Sequence, residues 1–337
     1  MVYGAIDLHA RKCQIRVVDA DGHVLRERRV STTAEDLVGV FQGLGPVRVL
    51  VESGTESEWV AQALETAGYE VIVADPNHAP MYGERTRKVK TDRRDAAALA
   101  EANRRGWYRR AYRRSAAQRL MQHRLRARRQ LVAARSGVIC VMRAILRHHG
   151  LRLGNSARAT LSRRLAALVL PPGLAEMLAP LHRVVDQLTR EVAELEAQCT
   201  AAADGDSVVA QLQTVPGVGP IVALTFRAFV DDVSRFAHAS QVSAALGLVP
   251  REDSSAERRH RGHITKAGPP ELRSLLVQAA WAHRLSKASG TLRAWVDGLA
   301  ARRGRRIAIV GLARRLSRIL YAIWRDGTVF NAATLAA

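Results

Sequence analysis

The first 105 residues alternate between short apolar runs and amphipathic runs in an order that few folds accommodate. Three strand-like segments come first, VYGAID, CQIRVV and HVLRERRV, and the last two are joined by the turn sequence DADG. Strands separated by so short a turn pair as an antiparallel meander. A buried-type strand (residues 47–51), a helical pattern ending at Gly68, a further strand (residues 69–75) and the helix DAAALAEANRR then follow.

Three meander strands, a β-α-β unit and a final helix form the order of the RNase H-like (RuvC-like) α/β fold. In this order the first strand and the strand after the meander are neighbours, which predicts that Asp7 and Glu52 lie close together. Asp92 and Asp95 share one face of the late helix because they are three residues apart. Four like charges so close repel one another unless a cation lies among them, and Mg²⁺ prefers carboxylate ligands. The sequence therefore predicts a Mg²⁺ site.

Each of these carboxylates also has an ordinary structural explanation. Asp7 suits a strand-end turn, Glu52 a surface position near a helix, and Asp92 the N-cap of a helix with Asp95 in its first turn. The metal hypothesis depends on the joint occurrence of all four in this order.

The charge of the chain narrows the class of partner. There are 52 Lys and Arg residues against 31 Asp and Glu residues, a formal net charge of +21. Such an excess favours nucleic acid, because phosphate neutralisation releases counterions and the guanidinium group fits phosphate bidentately. A ribosomal-type protein or a membrane-surface binder is the alternative at this charge.

The cysteines and the amino terminus indicate the cellular compartment. Cys13, Cys140 and Cys199 are too scattered for a disulfide framework or a zinc site. The sequence MVYGAIDLHARK lacks the apolar region of a signal peptide, and no apolar run reaches the ~18–20 residues of a membrane span. We expect a cytoplasmic protein with no membrane partner.

The middle of the chain has the pattern of a coiled coil. Between Ser115 and His149 there is no proline and one glycine, and apolar residues recur at spacings of three and four. A second such run contains Pro180, which marks a kink or the true helix start. The two predicted seams consist of Leu120, Ala127, Leu131, Ala134, Val138, Val141 and Ile145, and of Leu174, Leu178, Leu181, Val185, Leu188, Val192 and Leu195.

A helical hairpin, a dimerising coiled coil or a bundle within one chain would each bury these seams. Two narrow seams favour self-association. The neighbouring basic residues form either a solvated face or a nucleic-acid contact, and they are Arg124, Arg126, Arg128 and Arg129.

The carboxy-terminal region contains a turn suited to phosphate. TVPGVGPIVA, residues 214–223, is typical of a helix-hairpin-helix, which presents backbone N–H groups and a helix N-terminus to a nucleic-acid phosphate. Gly217 and Gly219 permit close backbone approach because they lack a Cβ atom. The same turn also occurs as an ordinary connector.

Two serines follow in a basic segment. A serine hydroxyl near arginines that hold a phosphate suits phosphoryl transfer, although from composition alone Ser254-Ser255 is an ordinary loop. The predicted nucleic-acid contacts of this region are Gly217, Gly219, Arg258, Arg259, Arg261 and Lys266.

Taken together, these motifs resemble the DEDD-type insertion-sequence transposases of the IS one-ten and IS eleven-eleven groups, the RNA-guided bridge recombinases. AIDLH, VESGT and KTDRRDA stand where that family has its acidic tetrad, and TVPGVGP, GLVPREDSS and ITKAGPPELR resemble its carboxy-terminal domain. The resemblance covers nearly the whole chain. It implies a RuvC-like domain (1–112), a coiled-coil oligomerisation region (113–204) and a mainly α transposase domain with a nucleophilic serine (205–337).

The resemblance also implies a mechanism and partners. The family's serine follows its G-L-x-P motif, a place that Ser255 occupies here, with Ser254 as the adjacent alternative and Ala256 where glycine is common. It implies DNA strand exchange through a phosphoserine–DNA link, assisted by Mg²⁺ on the acidic tetrad. The implied partners are donor and target DNA, a noncoding guide RNA and further copies of the chain, as a dimer or tetramer.

Two other functions suit the same residues. One is a metal-dependent nuclease of the Holliday-junction-resolving class, in which the serine takes no part. The other is a non-catalytic nucleic-acid-binding scaffold that keeps only the fold.

Overall fold

The computed structural model describes residues 1–78, 81, 91–153, 161–255, 258–286 and 290–332, with the backbone alone for Ser162 and for most of 253–261. The contacts divide the chain into two compact units, Met1–Arg114 and Ser115–Ala337. The division into three domains that the resemblance implies stays a prediction.

A mixed five-stranded sheet forms the centre of the first unit. Its strands are β1 (Val2–Asp7), β2 (Lys12–Val18), β3 (Val24–Ser31), β4 (Val47–Glu52) and β5 (Glu70–Ala74), in the spatial order β3-β2-β1-β4-β5. The first three strands pair antiparallel, as the predicted meander requires. β4 lies parallel to β1 and to β5. The predicted pairing of the first strand with the strand after the meander is therefore confirmed.

Both faces of this sheet are covered by helices, which are α1 (Ala34–Phe41), α2 (Ser57–Thr66) and α3 (Asp92–Arg105). Alternate residues of a strand point to opposite faces. Val49 and Val51 accordingly pack in the cluster that includes residues of α1 and α2, whereas Leu50 packs in the cluster that includes residues of α3. The first unit is thus an α/β domain with three layers.

Helix α3 is capped at its start and is held to the sheet by side-chain hydrogen bonds near its end. Thr91 caps the helix by accepting a hydrogen bond from the backbone N–H of Arg94. Near the other end, the fully buried Asn103 donates from Nδ2 to the carbonyl oxygens of Gly4 and Arg48, each at 2.8 Å. Because Gly4 and Arg48 belong to adjacent strands, one amide group holds α3 against β1 and β4.

The second unit is mainly helical, with one two-stranded hairpin. Its helices are α4 (Ala116–His148), α5 (Leu161–Ala166), α6 (Leu174–Ala201), α7 (Ser207–Gln213), α8 (Pro220–Val230), α9 (Ala239–Ala245), α10 (Pro270–Leu285), α11 (Gly290–Arg303) and α12 (Arg305–Asp326). The hairpin strands are β6 (Pro250–Ser255) and β7 (Arg258–Ile264), which pair antiparallel. Helices α7 to α12 share one apolar core, and α12 has more buried residues than any other of these helices.

The two long helices form an antiparallel hairpin within the chain. Arg128 of α4 pairs with Glu196 of α6, and Arg135, further along α4, donates to Thr189, which lies earlier in α6. The predicted seam of α6 is confirmed, since Leu174, Leu178, Val185 and Val192 are buried, and Pro180 lies inside the helix on its exposed side.

The predicted seam of α4 was partly right, since Val138 and Ile145 pack against the core, but the fully buried stripe is displaced from it by one residue. Leu120 and Val141 of that seam are each half exposed, and the buried positions are Met121, Leu125, Arg135, Met142 and Leu146. One residue is a rotation of about 100° on a helix, so two adjacent stripes both satisfy the spacing of three and four. Contacts with α8 at one end and with α6 at the other select one of them. Arg128, predicted on the basic face, lies instead beside Glu196.

Among the described residues, no helix has both the length and the apolar character that crossing a membrane requires.

Candidate active site

The four predicted carboxylates lie at one edge of the sheet in the first unit. Asp7 ends β1 and Glu52 ends β4, and these strands are parallel neighbours with Ile6 opposite Val51. Asp92 and Asp95 occupy the first turn of α3, and Asp95 is almost completely buried. The side chain of Asp7 is only 14% exposed, whereas that of Asp92 is 49% exposed. This edge of the sheet therefore has carboxylates that are shielded from solvent and carboxylates that are exposed to it.

The pKa of Asp7 shows that the other three carboxylates lie close to it. Burial is the largest cause of a raised pKa for the Asp7 carboxyl, and the positive potential of His9 opposes it. The negative charges of Asp95, Asp92 and Glu52 raise the pKa of Asp7 further. The gathering that the sequence predicts is thus present, while the catalytic role of these residues stays a prediction.

His9 is a member of this cluster that the sequence reasoning missed. Its Nε2 atom lies 3.3 Å from Oδ2 of Asp7 and 3.6 Å from Oδ1 of Asp92. Ligand atoms of Asp7, His9 and Asp92 all lie within 4.8 Å of one another, a separation compatible with one cation. The only signal in the sequence was a histidine two residues after the strand-end Asp7.

The cluster fits a divalent cation. Oδ2 of Asp7 is buried and, within the part of the chain that the structure describes, has no hydrogen-bond partner in acceptable geometry. A buried carboxylate oxygen without such a partner is unfavourable unless something else neutralises it. Hard oxygen ligands suit Mg²⁺ or Mn²⁺, and the imidazole of His9 adds a nitrogen that Mn²⁺ tolerates.

The predicted serine lies on the hairpin of the second unit. Ser255 is the last residue of β6, opposite Arg258 of β7, and Ser254 lies opposite Arg259. Arg261 lies opposite Glu252 in the same ladder. The side chains of both serines and of these three arginines are outside the described part of the chain.

The base of this hairpin is held by close backbone contacts. A Cβ atom on Gly247 would lie 2.3 Å from the backbone nitrogen of Ala267, and one on Gly268 would lie 1.9 Å from the carbonyl oxygen of Ala245. Arg273 links the same segments by donating to the carbonyl oxygens of Leu246 and Ala267. The G-L-x-P and T-K-A-G-P-P motifs therefore interlock beneath the strand that ends at Ser255.

Lys266, a predicted nucleic-acid contact, lies in this interlocked segment. It is exposed and has a left-handed backbone with φ of 56°, and its N–H donates to the carbonyl oxygen of Gly247. Its conformation is thus fixed by the motif contact.

The predicted turn between α7 and α8 is present, but its two glycines differ. A Cβ atom on Gly217 would lie 2.5 Å from the carbonyl oxygen of Ala279 and 2.7 Å from the nitrogen of His283, both in α10. This close approach within the chain explains the glycine without any ligand. A Cβ atom on Gly219, the N-cap of α8, would meet no described atom within 4 Å. Gly219 remains the better candidate for phosphate contact.

An acidic cluster at the edge of a mixed sheet, in a strongly basic chain, is typical of enzymes that act on nucleic-acid phosphodiesters. Comparison with known families is more specific. The chain matches the family model described as "Transposase IS116/IS110/IS902 family" over residues 209–295 and a DEDD transposase model of IS110 elements over residues 5–150. The chain belongs to this family of transposases.

Curated relatives extend the similarity over the full length. A "Probable family 20 transposase" of Pseudomonas aeruginosa is 32% identical over 97% of both chains. The "Transposase for insertion sequence element IS1328" of Yersinia enterocolitica is 28% identical over 97% of both chains. The "Transposase for insertion sequence element IS1111A" of Coxiella burnetii is 28% identical over 94% of this chain and 88% of its own. The resemblance to insertion-sequence transposases is confirmed.

Proposed function

We propose that this transposase exchanges DNA strands through a phosphoserine intermediate, with Ser255 as nucleophile and with Mg²⁺ held by Asp7, Glu52, Asp92 and Asp95. The observation that carries the proposal is the convergence of these carboxylates on the buried Asp7 at the edge of the sheet. The order β3-β2-β1-β4-β5, followed by α3, supports assigning the first unit to the RNase H-like (RuvC-like) fold.

The carboxylates have distinct roles in this proposal. Asp95, which is buried, and Asp7, whose side chain is 14% exposed, would form the inner wall of the cation site, whereas the more exposed Asp92 would face the incoming phosphodiester. When bound, the cation neutralises the charge of the phosphodiester and stabilises a leaving oxygen. His9, beside Asp7 and Asp92, would orient those two carboxylates.

The serine step conserves the number of ester bonds. The Ser255 Oγ atom forms a bond to phosphorus, one sugar oxygen leaves, and the serine proton passes to solvent while the departing oxygen takes a proton. In the second step a sugar hydroxyl of the exchange partner displaces Oγ from phosphorus and restores the serine. The bond energy is retained in the ester, which agrees with the lack of a Walker-type nucleotide-binding motif in the sequence.

The partners in this proposal are donor DNA, target DNA and a noncoding guide RNA that pairs with both. The net charge of +21 supports a large nucleic-acid footprint. We further propose that the active form is a homo-oligomer, a dimer or tetramer. The half-exposed stripe of α4 that contains Leu120 and Val141 supports this, because it is apolar and lies beside the seam used within the chain.

A denaturing adduct assay tests the proposal. The wild-type protein incubated with guide RNA, its DNA substrates and Mg²⁺ is expected to leave a protein–DNA adduct that survives denaturation. Ser255→Ala is expected to abolish the adduct and Ser254→Ala to retain it. The reverse result would transfer the nucleophile to Ser254, and an adduct in the Ser254→Ala/Ser255→Ala double variant would disprove a serine nucleophile at this site.

The same assay separates the alternatives. DNA cleavage without an adduct, unaffected by Ser255→Ala but lost on chelation, would favour the junction-resolving nuclease. Nucleic-acid binding with neither cleavage nor adduct would favour the scaffold.

A further inference from the structure

A groove of about 820 Å³ lies among the helices of the second unit, away from the hairpin strands in sequence. Its walls come from α11, α12 and the segment that follows α12. Trp295 and Leu299 line one side, Arg314 and Arg318 line another, and Phe330 closes part of a third. The volume lies within the range of about 300–1,000 Å³ that small-molecule sites occupy.

The groove is positively charged. Arg314, Arg315 and Arg318 have no carboxylate within ion-pair distance among the residues that the structure describes. Among the described residues that line the groove, Asp326 is the one carboxylate, and it is paired with Arg325 at 2.7 Å. The Nε atom of Arg314 is buried and has no hydrogen-bond partner in the described part of the chain. A buried guanidinium nitrogen of this kind is satisfied by an anionic oxygen atom.

The groove also contains an aromatic surface. The indole of Trp295 is 37% exposed, and the guanidinium of Arg315 stacks over it at 4.9 Å from the ring centroid. A Cβ atom on Gly311 would lie 3.5 Å from Cη2 of Trp295 and 3.2 Å from Cδ2 of Leu299. Glycine at this position of α12 therefore lets the indole lie against the helix, at the level of the arginines.

We propose that this groove binds one unpaired nucleotide of a single-stranded nucleic acid, with its base beside Trp295 and its phosphate on Arg314 and Arg318. Aromatic stacking with a basic groove is the usual mode of single-strand recognition, and Arg adds a cation–π contribution. A concave site of this size admits a base that has left its stack but excludes a duplex. An acidic peptide would satisfy the arginines but would make no use of the exposed part of the Trp295 indole. The inference rests on the proposed nucleic-acid function but requires neither Ser255 nor the acidic tetrad.

Photo-crosslinking tests the position of the base. Full-length protein is mixed with short oligonucleotides, in DNA and in RNA form, that carry 5-iodouracil at one unpaired position. After irradiation, mass spectrometry is expected to find the crosslink on Trp295. Stronger crosslinking of one form identifies DNA or RNA as the source of the nucleotide. Crosslinks confined to other residues, with neither form reaching Trp295, would overturn the proposal.

Affinity measurements with matched variants test the energetics. Trp295→Ala is expected to weaken single-strand binding about tenfold, because the stacking of one base on an aromatic side chain contributes roughly a factor of ten or more to affinity. Trp295→Phe should restore most of the affinity. Trp281→Ala is the matched control, because Trp281 is 40% exposed in α10 and does not line the groove. Equal losses for Trp295→Ala and Trp281→Ala, in variants with wild-type thermal unfolding, would refute a specific site.

The arginines are tested by the salt dependence of binding. Arg318→Ala should reduce the slope of log K against log salt by about 0.7, the value for one phosphate contact on a single strand. Arg303→Ala, an exposed arginine of α11 outside the groove, should change the slope less. Equal changes in the two variants would overturn a phosphate contact at Arg318.

Failure of the nucleotide site can be distinguished from failure of the proposed function. If Trp295→Ala retains the phosphoserine adduct and loses single-strand affinity, both proposals hold. If wild-type protein binds no nucleic acid, the proposed function itself fails. If the fluorescence of Trp295 responds to protein dilution and not to oligonucleotide, a second copy of the chain covers the groove and the nucleotide site is refuted.

Discussion

The acidic cluster and the serine hairpin are positioned by different physical means. The carboxylates stand at the ends of buried parallel strands and on a helix that side-chain hydrogen bonds from Asn103 hold to the sheet. The base of the serine hairpin is positioned by glycines whose missing Cβ atoms allow backbone to touch backbone. Side-chain networks tolerate partial loss, whereas the backbone of Gly268 tolerates no added atom, since a Cβ atom there would lie 1.9 Å from the carbonyl oxygen of Ala245. The two regions should therefore respond very differently to single substitutions.

The largest effect is expected at Gly268. Gly268→Ala would place Cβ against the carbonyl oxygen of Ala245 and force a φ of 69° on a residue with a side chain. We expect a loss of about 3 kcal/mol or more in the free energy of unfolding. Denaturant unfolding and hydrogen exchange at the hairpin measure it.

Gly298→Ala is the matched control for this prediction. Gly298 lies in α11, and a Cβ atom there would meet no described atom within 4 Å. We expect a gain of roughly 0.5–1 kcal/mol, the helix preference for alanine over glycine. Similar losses in both variants would show that the hairpin base is not specially constrained.

The second largest effect is expected at Asp7, where a substitution should remove stabilisation by a divalent cation. A divalent cation present at about 100 times its dissociation constant stabilises the folded state by roughly 2.7 kcal/mol. Asp7→Asn should lose most of this stabilisation, measured by thermal unfolding with titrated Mg²⁺ or Mn²⁺. Asp21→Asn alters the exposed Asp19–Asp21–His23 group and should leave it intact. Unchanged stabilisation in Asp7→Asn would contradict the cation site.

The amide that holds α3 to the sheet should matter somewhat less. Asn103→Ala removes two buried hydrogen bonds to Gly4 and Arg48 and is expected to cost about 2 kcal/mol. Asn77→Ala, at an exposed residue whose amide bonds only to Asp75, should change stability by less than about 0.5 kcal/mol. A cost at Asn103 no larger than at Asn77 would show that packing alone positions α3.

The smallest predicted effect is a pH dependence of the metal-free protein. The pKa of Asp7 is raised in the folded state from its ordinary value of 3.8. Between pH 3.8 and the folded pKa, the folded protein therefore keeps a proton on Asp7 that the unfolded chain releases. Stability is therefore greatest below pH 3.8 for this group and declines as pH rises through the folded pKa. Relative to Asp7→Asn, metal-free wild type should lose stability over that interval, and urea unfolding at a series of pH values measures the loss. A parallel pH profile for the two proteins would contradict the burial of a charged Asp7.

The sheet could be predicted because its signals are local. Alternating apolar runs and a four-residue turn determine the meander, and the order of elements places β1 beside β4. The convergence of Asp7 with Glu52 follows from that order alone. The same local reasoning was only partly right on α4, where adjacent apolar stripes fit the spacing equally well. Met121 is buried in the core that includes residues of α8, whereas Leu120 is half exposed, and only this tertiary contact distinguishes them.

Other features of the site are invisible in sequence because they depend on distant backbone segments. His9 joins the cluster through the path of the chain after β1, not through any spacing rule. Gly217 suggested a ligand contact, yet its missing side chain accommodates α10, which begins more than fifty residues later. A glycine in the sequence indicates that another group approaches the backbone closely, but only the tertiary structure shows which group it is.

The sequence by itself determined the family, the α/β character of the first unit and the identity of the gathered acids, since these depend on order and on residue type. Only the tertiary structure decided which stripe of α4 is buried, how two glycine motifs interlock beneath Ser255, and that Trp295 and four arginines line one groove. Periodicity specifies which face of an element is apolar, but the partner of that face is chosen by packing across the whole chain.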